Sequence, residues 1–204
     1  MKKFEIRILS SLLFFAIIAS LWFSGCNPPA AEKEFSIGDT GPAGGLIIYI
    51  NPNYENDGWH YLEAAPADQS TSIMWFSDIM DANENFFATG ALSTAIGTGK
   101  SNTQTIVNSQ GEGAYAAKLC SELEMGGYDD WYLPAKDELN LMYENLYLKG
   151  LGGFNQGDGR EYYWSSSEAA FDEILYAWLQ SFGNGKQQED NKWYEYRVRA
   201  VRDF

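Results

Sequence analysis

The sequence predicts an α+β domain in which segments from both ends of the chain form one antiparallel sheet. Two segments within residues 45–64 and three after residue 160 have the length and composition of β-strands. Between them, two stretches carry apolar residues at the three- and four-residue spacing of an amphipathic helix. Strands at both ends with helices in the middle indicate that the first and last strands share a sheet.

The first 25 residues have the parts of a bacterial secretion signal. Lys2, Lys3 and Arg7 precede an apolar run over residues 8–23. This run is shorter than the roughly 20 residues that a membrane-spanning helix needs. A signal peptide over residues 1–25 is therefore predicted.

Cys26 follows Ser-Gly, an arrangement that resembles a lipobox and predicts lipidation of Cys26 as the first mature residue. Several acyl chains would hold the protein firmly on a membrane. The alternatives are a signal cleaved nearby without lipid and an uncleaved anchor. Residues 26–34 are interpreted as the lipidated Cys and a Pro-containing tether, and residues 35–204 as the domain. We expect export across the inner membrane and anchoring at the outer membrane or cell surface.

The charge balance restricts the possible partners. Without residues 1–25, which hold three Lys or Arg and one Glu, the chain has 11 basic and 27 acidic residues, a net charge of −16. This excess argues against nucleic acids, since phosphate binding requires clustered Lys and Arg. It also argues against sulfated glycans unless the few arginines are gathered in one patch. Cationic partners, divalent cations or simple solubility agree with the acidity.

The N-terminal part of the domain predicts a β-hairpin. The apolar run over 45–50 is followed by turn-forming residues over 51–58 and by a second apolar segment over 59–64. The segment 68–108 is rich in Ser, Thr, Asn and Gly and is predicted to be mostly irregular. Short helical turns are predicted near 77–82 and 88–96.

Two helices are predicted on either side of an aromatic corner. The first has Ala116, Leu119, Cys120 and Leu123 on one stripe and stops at the glycines after residue 125. The second has apolar residues at the same spacing over 139–146. Pro134 suits its first turn, Asp137 and Glu138 favour its positive N-terminal end, and Gly150 closes it. Trp131 and Leu133 in the corner are expected to be buried. With Cys26 lipidated, Cys120 is predicted to be a buried, inert thiol.

Three strands are predicted at the C-terminus, after a glycine-rich and mobile loop over residues 150–159. They cover residues 162–166, 175–182 and 196–201. In the second strand apolar residues occupy both faces, which is typical of a strand covered on both sides.

Several ordered motifs resemble the Lcl C-terminal domain family, a bacterial family named for a collagen-like adhesin. The motifs are DWYLPAKDEL at 130–139, YYWSSS at 162–167, Ala177-Trp178 and RVRAVR at 197–202, with GDTGPAGG at 38–45 and LEAAPAD at 62–68 at the start. The resemblance covers residues 35–204. It implies a C-type-lectin-like fold, with an antiparallel sheet, two amphipathic helices and long irregular loops. It further implies binding at a cell surface, and first suggests sulfated glycans.

The sequence carries little catalytic chemistry. His60 is the single histidine and lies in a predicted strand, and Ser165–Ser167 lie in another. No HExxH, CxxC, P-loop or Gly-x-Ser-x-Gly spacing occurs. No cofactor and no metal site is therefore predicted. Paired carboxylates for glycoside hydrolysis stay open as an alternative, because the sequence gives no distance between them.

Two acidic connections between the late strands are the candidate ligand-binding sites. The resemblance implies that these connections form the ligand-bearing edge. The candidate residues are Glu168, Asp172, Glu173, Asn184, Glu189 and Asp190. Their oxygens suit Ca²⁺, but Trp164 is followed by serines instead of the Asn-Asp of calcium-dependent lectins, so solvated acidic loops are preferred to a calcium site. Trp75, Phe76, Tyr162 and Trp193 are the aromatic candidates for stacking on sugars.

The function that these observations favour is a lipid-anchored, non-catalytic surface module for adhesion or binding. Its partners would be the membrane, through the lipid, and a glycan or extracellular protein. The alternatives are an enzyme that acts on envelope or extracellular polysaccharide and a purely structural envelope lipoprotein.

Overall fold

The computed structural model describes residues 33–77, 87–157 and 161–204. The predicted signal peptide, Cys26 and most of the predicted tether lie outside these residues. Residues Glu34–Phe204 form one unit. Within the described ranges, no helix combines the length and the hydropathy needed to cross a bilayer.

The predicted N-terminal hairpin is confirmed. Strands β1 (Leu46–Ile50) and β2 (Tyr61–Ala64) pair in antiparallel fashion. The connection holds a short helix, α1 (Tyr54–Asp57), which ends at Gly58 with φ 78°. The Asn51 side-chain Nδ2 donates to Asp57 Oδ2 at 3.0 Å and to the Trp59 carbonyl at 3.1 Å. These bonds hold the two ends of the connection together.

Two elements lie in the segment predicted to be irregular, namely strand β3 (Ser70–Met74) and helix α2 (Gly99–Gln110). The buried side of α2 has helical spacing, but Asn102, Thr103 and Gln110 are polar and only Ile106 is a large apolar residue. Each polar side chain is bound inside the protein, for example Asn102 Nδ2 to the Ser93 carbonyl at 2.6 Å. The helical turns predicted over 88–96 are absent from the described residues there, and those over 77–82 fall almost entirely outside the described part.

The predicted helix pair is present, with a shorter first helix. Helix α3 (Ala116–Ser121) buries Ala116, Ala117 and Cys120, and burial raises the pKa of the Cys120 thiol, which keeps it protonated and inert. Helix α4 (Lys136–Asn145) buries Leu139 and Met142 and leads into a 3₁₀ turn, Tyr147–Lys149. Trp131 and Leu133 are buried as predicted.

The C-terminal strands are β4 (Tyr162–Glu168), β5 (Tyr176–Ser181), β6 (Gln187–Asn191) and β7 (Glu195–Val198). Together with β3 they form a five-stranded sheet in the order β3-β7-β4-β5-β6. The β4–β7 pair is parallel and the other pairs are antiparallel. Strand β6 occupies the position where an acidic loop is predicted, so that prediction is wrong.

The single strand predicted over 196–201 is divided into β7 and β8 (Val201–Asp203). Strand β8 pairs with β2, which gives a three-stranded sheet in the order β1-β2-β8. The first and last strands therefore share one antiparallel sheet, as predicted, with β2 between them. The single antiparallel sheet of the predicted fold is instead two sheets, and the larger one contains a parallel pair.

The two sheets are linked by an antiparallel alignment of residues 61–76 with residues 192–204, which is interrupted at residues 66–68 and which we call the ribbon. Between the strands it continues through the amide of Ala65 to the carbonyl of Ala200 and the amide of Gln69 to the carbonyl of Val198, both at 2.9 Å. It reaches Trp75, whose amide donates to the Lys192 carbonyl at 3.1 Å. The ribbon thus joins Tyr61 and Phe204 at one end to Trp75 and Lys192 at the other.

A buried ion cluster holds the ribbon at its centre. Arg199 is almost fully buried and binds Asp68 through Nε at 2.7 Å, while Arg197 binds the same carboxylate at 3.2 Å. Arg199 also donates to the Gly152 carbonyl at 2.7 Å, and its guanidinium lies 4.1 Å from the ring centroid of Phe154. Part of the glycine-rich loop predicted to be mobile is thereby packed onto the ribbon.

The core consists of two apolar clusters, one on each face of the five-stranded sheet. Because adjacent strand residues point to opposite faces, Tyr163 joins the cluster under α4 and Trp164 joins the cluster that contains α3. Both side chains are fully buried. The faces of β5 are consequently both covered, as the sequence predicts.

Glu138 ties the start of α4 to the turn before α2. Its carboxylate accepts hydrogen bonds from the amides of Ala135 at 2.7 Å and Gly97 at 2.8 Å. A Cβ at Gly99 would overlap this carboxylate, so glycine is required there. Burial raises the pKa of Glu138 to about 7, and the nearby amides only partly oppose this.

We expect Glu138 to make stability depend on pH. The folded protein keeps the proton on Glu138 up to about pH 7, whereas the unfolded chain releases it near pH 4.5. Between these pH values the folded state therefore binds more protons than the unfolded state, and its stability falls as the pH rises. Relative to Glu138→Gln, the wild type should lose up to about 3 kcal/mol of unfolding free energy between pH 4.5 and 7, as measured by urea unfolding. The exposed Glu144→Gln is the control. A constant difference would contradict the expectation.

Candidate ligand-binding edge

The predicted acidic site residues do not gather at one place. Strand β5 pairs with β6 from Tyr176 opposite Asn191 to Gln180 opposite Gln187. Asp172 and Glu173 precede β5, whereas Asn184 lies in the turn after it, where the Gly185 amide donates to the Ser181 carbonyl. The two predicted loops therefore lie at opposite ends of β5.

Glu189 and Asp190 are also separated, because they are adjacent residues of β6 and point to opposite faces of the sheet. Glu189 is opposite Trp178, and Asp190 is opposite Ala177. The Asp190 carboxylate accepts hydrogen bonds from the Tyr196 hydroxyl at 2.7 Å and from the Asn191 amide at 2.8 Å. These two acids therefore contribute to no common cluster.

Glu168 is buried in the interior instead of lying on a ligand-bearing edge. Its carboxylate forms an ion pair of 2.5 Å with Lys192, and both side chains are fully buried. It also accepts hydrogen bonds from the amides of Thr89 and Gly90, both at 2.8 Å, and of Ala91 at 3.2 Å. Every oxygen is occupied, so the assignment of Glu168 to a ligand site is wrong and its role is to hold surrounding segments together.

Lys192 completes this arrangement at the end of the ribbon. Its ammonium donates to the Glu173 carbonyl at 2.6 Å and lies 4.4 Å from the ring centroid of Trp75. Burial lowers the pKa of Lys192, and the Glu168 carboxylate acts in the opposite direction. The Lys192 amide also donates to the Leu175 carbonyl at 3.0 Å. One residue therefore fixes the β4–β5 loop against the β6–β7 turn.

These two connections expose apolar side chains at one end of the sheet. Phe171 is 89% exposed, Tyr194 57% and Ile174 46%. We call these three residues the apolar edge. Exposed apolar side chains mark contact sites when they lie together, and the two connections adjoin where Tyr176 of β5 is opposite Asn191 of β6. We therefore take the edge as the candidate binding site.

The sequence does not predict the apolar edge, and the aromatic residues that it suggests for stacking on sugars lie elsewhere in the structure. Trp75 and Phe76 are buried, and Tyr162 and Trp193 are half-buried. The signal that could have found the edge is the position of Phe171 and Ile174 between two strands whose apolar faces are already filled. An apolar residue in such a connection has no core position available.

The accessible charge around the edge is negative. Asp172 and Glu173 are half-exposed in the β4–β5 loop, and Glu195 is exposed at the start of β7. The Asp172 carboxylate accepts the Leu175 amide at 3.2 Å, and Glu195 accepts the Ser72 hydroxyl at 2.5 Å. Within residues 169–175 and 191–195 the only basic residue is Lys192, which is buried and paired.

The described arginines face carboxylates of the protein itself. Arg197 and Arg199 bind Asp68, and Arg202 binds Asp130 at 2.7 Å and Glu63 at 2.9 Å. The condition under which an acidic chain could still bind a polyanion, an open arginine patch, is therefore not met in the described residues.

The groups considered for catalysis are engaged in packing. The Ser165 hydroxyl donates to the Trp178 carbonyl at 2.8 Å, and the Ser167 hydroxyl donates to the Ser93 carbonyl at 2.7 Å. The His60 ring stacks on Tyr54 with a centroid distance of 4.2 Å and contacts Tyr61 at a tilt, with a centroid distance of 4.0 Å. In the described parts of the chain, no group of three or more His, Cys, Asp or Glu side chains is placed to hold a metal ion.

Comparison with known proteins identifies the family. The family model described as the Lcl C-terminal domain matches residues 65–202, which is more than half of the chain. The match includes the helix pair, the five-stranded sheet and the apolar edge, and begins after β2. No curated protein matches the chain. The chain belongs to the Lcl C-terminal domain family.

Proposed function

We propose that this protein is a lipid-anchored, non-catalytic module at the bacterial surface, with a C-type-lectin-like fold, which binds an extracellular ligand through the apolar edge. The observation that carries the proposal is the exposure of Phe171, Ile174 and Tyr194 on two connections that Lys192 holds together. The ligand classes considered are glycans and extracellular proteins. Membership of a family named for an adhesin supports a role in binding.

The support beneath the edge favours binding without reorganisation. The Lys192–Glu168 pair is fully buried, and Glu168 also binds three backbone amides of residues 89–91. Three segments of the chain therefore meet under the apolar edge. A contact site that is already ordered loses less entropy when it binds, so it can bind more tightly for the same contact area.

The ribbon favours presentation away from the membrane. Phe35, where the domain begins, packs against Tyr61 and Phe204 with ring centroids 5.2 and 5.8 Å apart. Phe204 of this aromatic cluster and Tyr194, near the other end of the ribbon, are ten residues apart, so at most about 34 Å of extended chain separates them. A lipid on Cys26 would be tethered at the first end, so the apolar edge would point outward from an outer membrane or cell surface.

Removal of the apolar edge should abolish binding. We expect the double substitution Phe171→Ser, Tyr194→Ser to lower the affinity for any ligand of the wild-type protein by at least tenfold. The reason is that burial of one Phe side chain contributes about 1.5–3 kcal/mol. Ligands would be found on glycan arrays and on panels of extracellular proteins, and affinity measured by calorimetry. The control is Leu148→Ser, which changes an exposed apolar residue of the 3₁₀ turn.

Binding that survives the double substitution, or is lost equally in the control, would refute a role for the edge. Turnover of a polysaccharide by the wild-type protein would instead favour the enzyme alternative.

The lipid anchor has its own test. Cells that express the wild type and are labelled with radioactive palmitate should incorporate label into the protein, and Cys26→Ser should not. Cys120→Ala provides the matched control, because it removes the buried thiol and leaves the proposed acceptor intact. Label in the Cys26→Ser protein, or none in the wild type, would contradict lipidation at Cys26.

A further inference from the structure

We infer that the ligand of the apolar edge is a basic polypeptide segment, one that carries Lys or Arg beside exposed apolar side chains. This inference rests on the proposed function, since it concerns the same surface. It departs from the sulfated glycans that the family resemblance first suggests.

The first argument is the local charge. Asp172, Glu173 and Glu195 are each adjacent in the chain to a residue of the apolar edge, and the one basic residue of these connections, Lys192, is buried. The Lys192 ammonium is neutralised by Glu168 and donates to the Glu173 carbonyl inside the protein. Three carboxylates therefore act on a ligand at the edge, and within residues 169–175 and 191–195 no accessible cation opposes them. Complementary charge speeds association and excludes partners of like charge.

The second argument is the charge of the whole domain. The chain after residue 25 carries a net charge of −16, and Arg197, Arg199 and Arg202 are paired with its own carboxylates. The field of the protein therefore adds to the local field at the edge and attracts cations. An anionic glycan, an anionic bilayer and a second copy of this chain would all be repelled.

The third argument is the chemistry of the contact itself. Phe171 and Ile174 offer apolar surface and no side-chain hydrogen-bonding group, whereas a neutral sugar presents hydroxyls that need partners. An apolar side chain of a polypeptide is the better match for these two residues. Lys and Arg beside it would meet the carboxylates at the rim, as in contact sites with an apolar centre and a polar border.

The test uses the mature chain from residue 26, with Cys26→Ser so that it stays in solution, and three 12-residue peptides. One peptide alternates Leu with Lys, one alternates Leu with Glu, and one alternates Ser with Lys. We expect the Leu–Lys peptide to bind at least tenfold more tightly than either of the others. Its affinity should fall at least tenfold between 50 and 300 mM NaCl, because the rim carboxylates are exposed to screening.

Two sets of substitutions remove the same number of negative charges. They distinguish the effect of the carboxylates beside the apolar edge, which we call the rim, from the effect of the net charge of the protein. Asp172→Asn, Glu173→Gln and Glu195→Gln together should weaken the Leu–Lys peptide at least tenfold and flatten its salt dependence. The control set, Glu122→Gln, Glu124→Gln and Asp129→Asn, removes three exposed acids elsewhere and should change the affinity less than threefold. Circular dichroism would verify that both sets are folded.

Several results would overturn the inference. Failure of the Leu–Lys peptide to bind would contradict a basic partner, and so would binding of the Leu–Glu peptide or heparin with the same affinity as the Leu–Lys peptide. An equal loss of affinity in the two substitution sets would contradict it as well. Binding of phosphatidylglycerol vesicles that depends on Phe171 would indicate a membrane surface instead. Failure of the inference differs from failure of the proposed function. If another ligand loses affinity in the Phe171→Ser, Tyr194→Ser protein while the rim set has no effect, the edge still binds and only the basic partner is wrong.

Discussion

The structure depends on one constraint, the antiparallel alignment of residues 61–76 with residues 192–204. Two strands of each sheet lie in this ribbon, so neither sheet is complete without it. At the centre of the ribbon Arg199 is buried, and its charge is neutralised by Asp68, with 2.7 Å between Arg199 Nε and Asp68 Oδ1. A charge buried this deeply is tolerated only with a partner, which fixes the register between the two halves of the ribbon.

The apolar edge is a consequence of where the ribbon ends. At that end Lys192 is buried against Glu168 and Trp75, and the two connections beside it are closed over the pair. Their backbones face inward to bind the lysine, and the apolar side chains of Phe171 and Tyr194 are left in water. Exposure of the edge therefore results from the same interaction that orders it. The opposite end, at Tyr61 and Phe204, receives the start of the domain at Phe35.

The sequence predicted those parts of the fold that are marked by apolar or aromatic residues, either as a short run or at helical spacing. The β1–β2 hairpin and strands β4 and β5 have such runs, helices α3 and α4 have the helical spacing, and all of them are present. Helix α2 was missed because its buried face is formed by Asn102, Thr103 and Gln110, which bind polar groups of neighbouring segments. Strand β6 was missed because its five residues are all polar, so no apolar alternation marks it.

The candidate site was harder to predict, because a site depends on contacts between distant segments. Glu168 reads as a surface acid in the sequence, and only the approach of Lys192, 24 residues later, makes it an interior ion pair. Glu189 and Asp190 read as a cluster and are separated by the alternation of a strand that no pattern revealed. The acidity of the chain was a better guide, because the rim of the edge carries the same excess of carboxylates.

The central claim is that the two connections of the apolar edge are ordered before any ligand binds. Amide hydrogen exchange of the free protein tests it most directly, at the amides of Ala169, Tyr176 and Lys192, which donate to backbone carbonyls, and of Gly90, which donates to Glu168. The account predicts that these amides exchange as slowly as those within β4 and β5. Exchange at the rate of an unstructured peptide would contradict it.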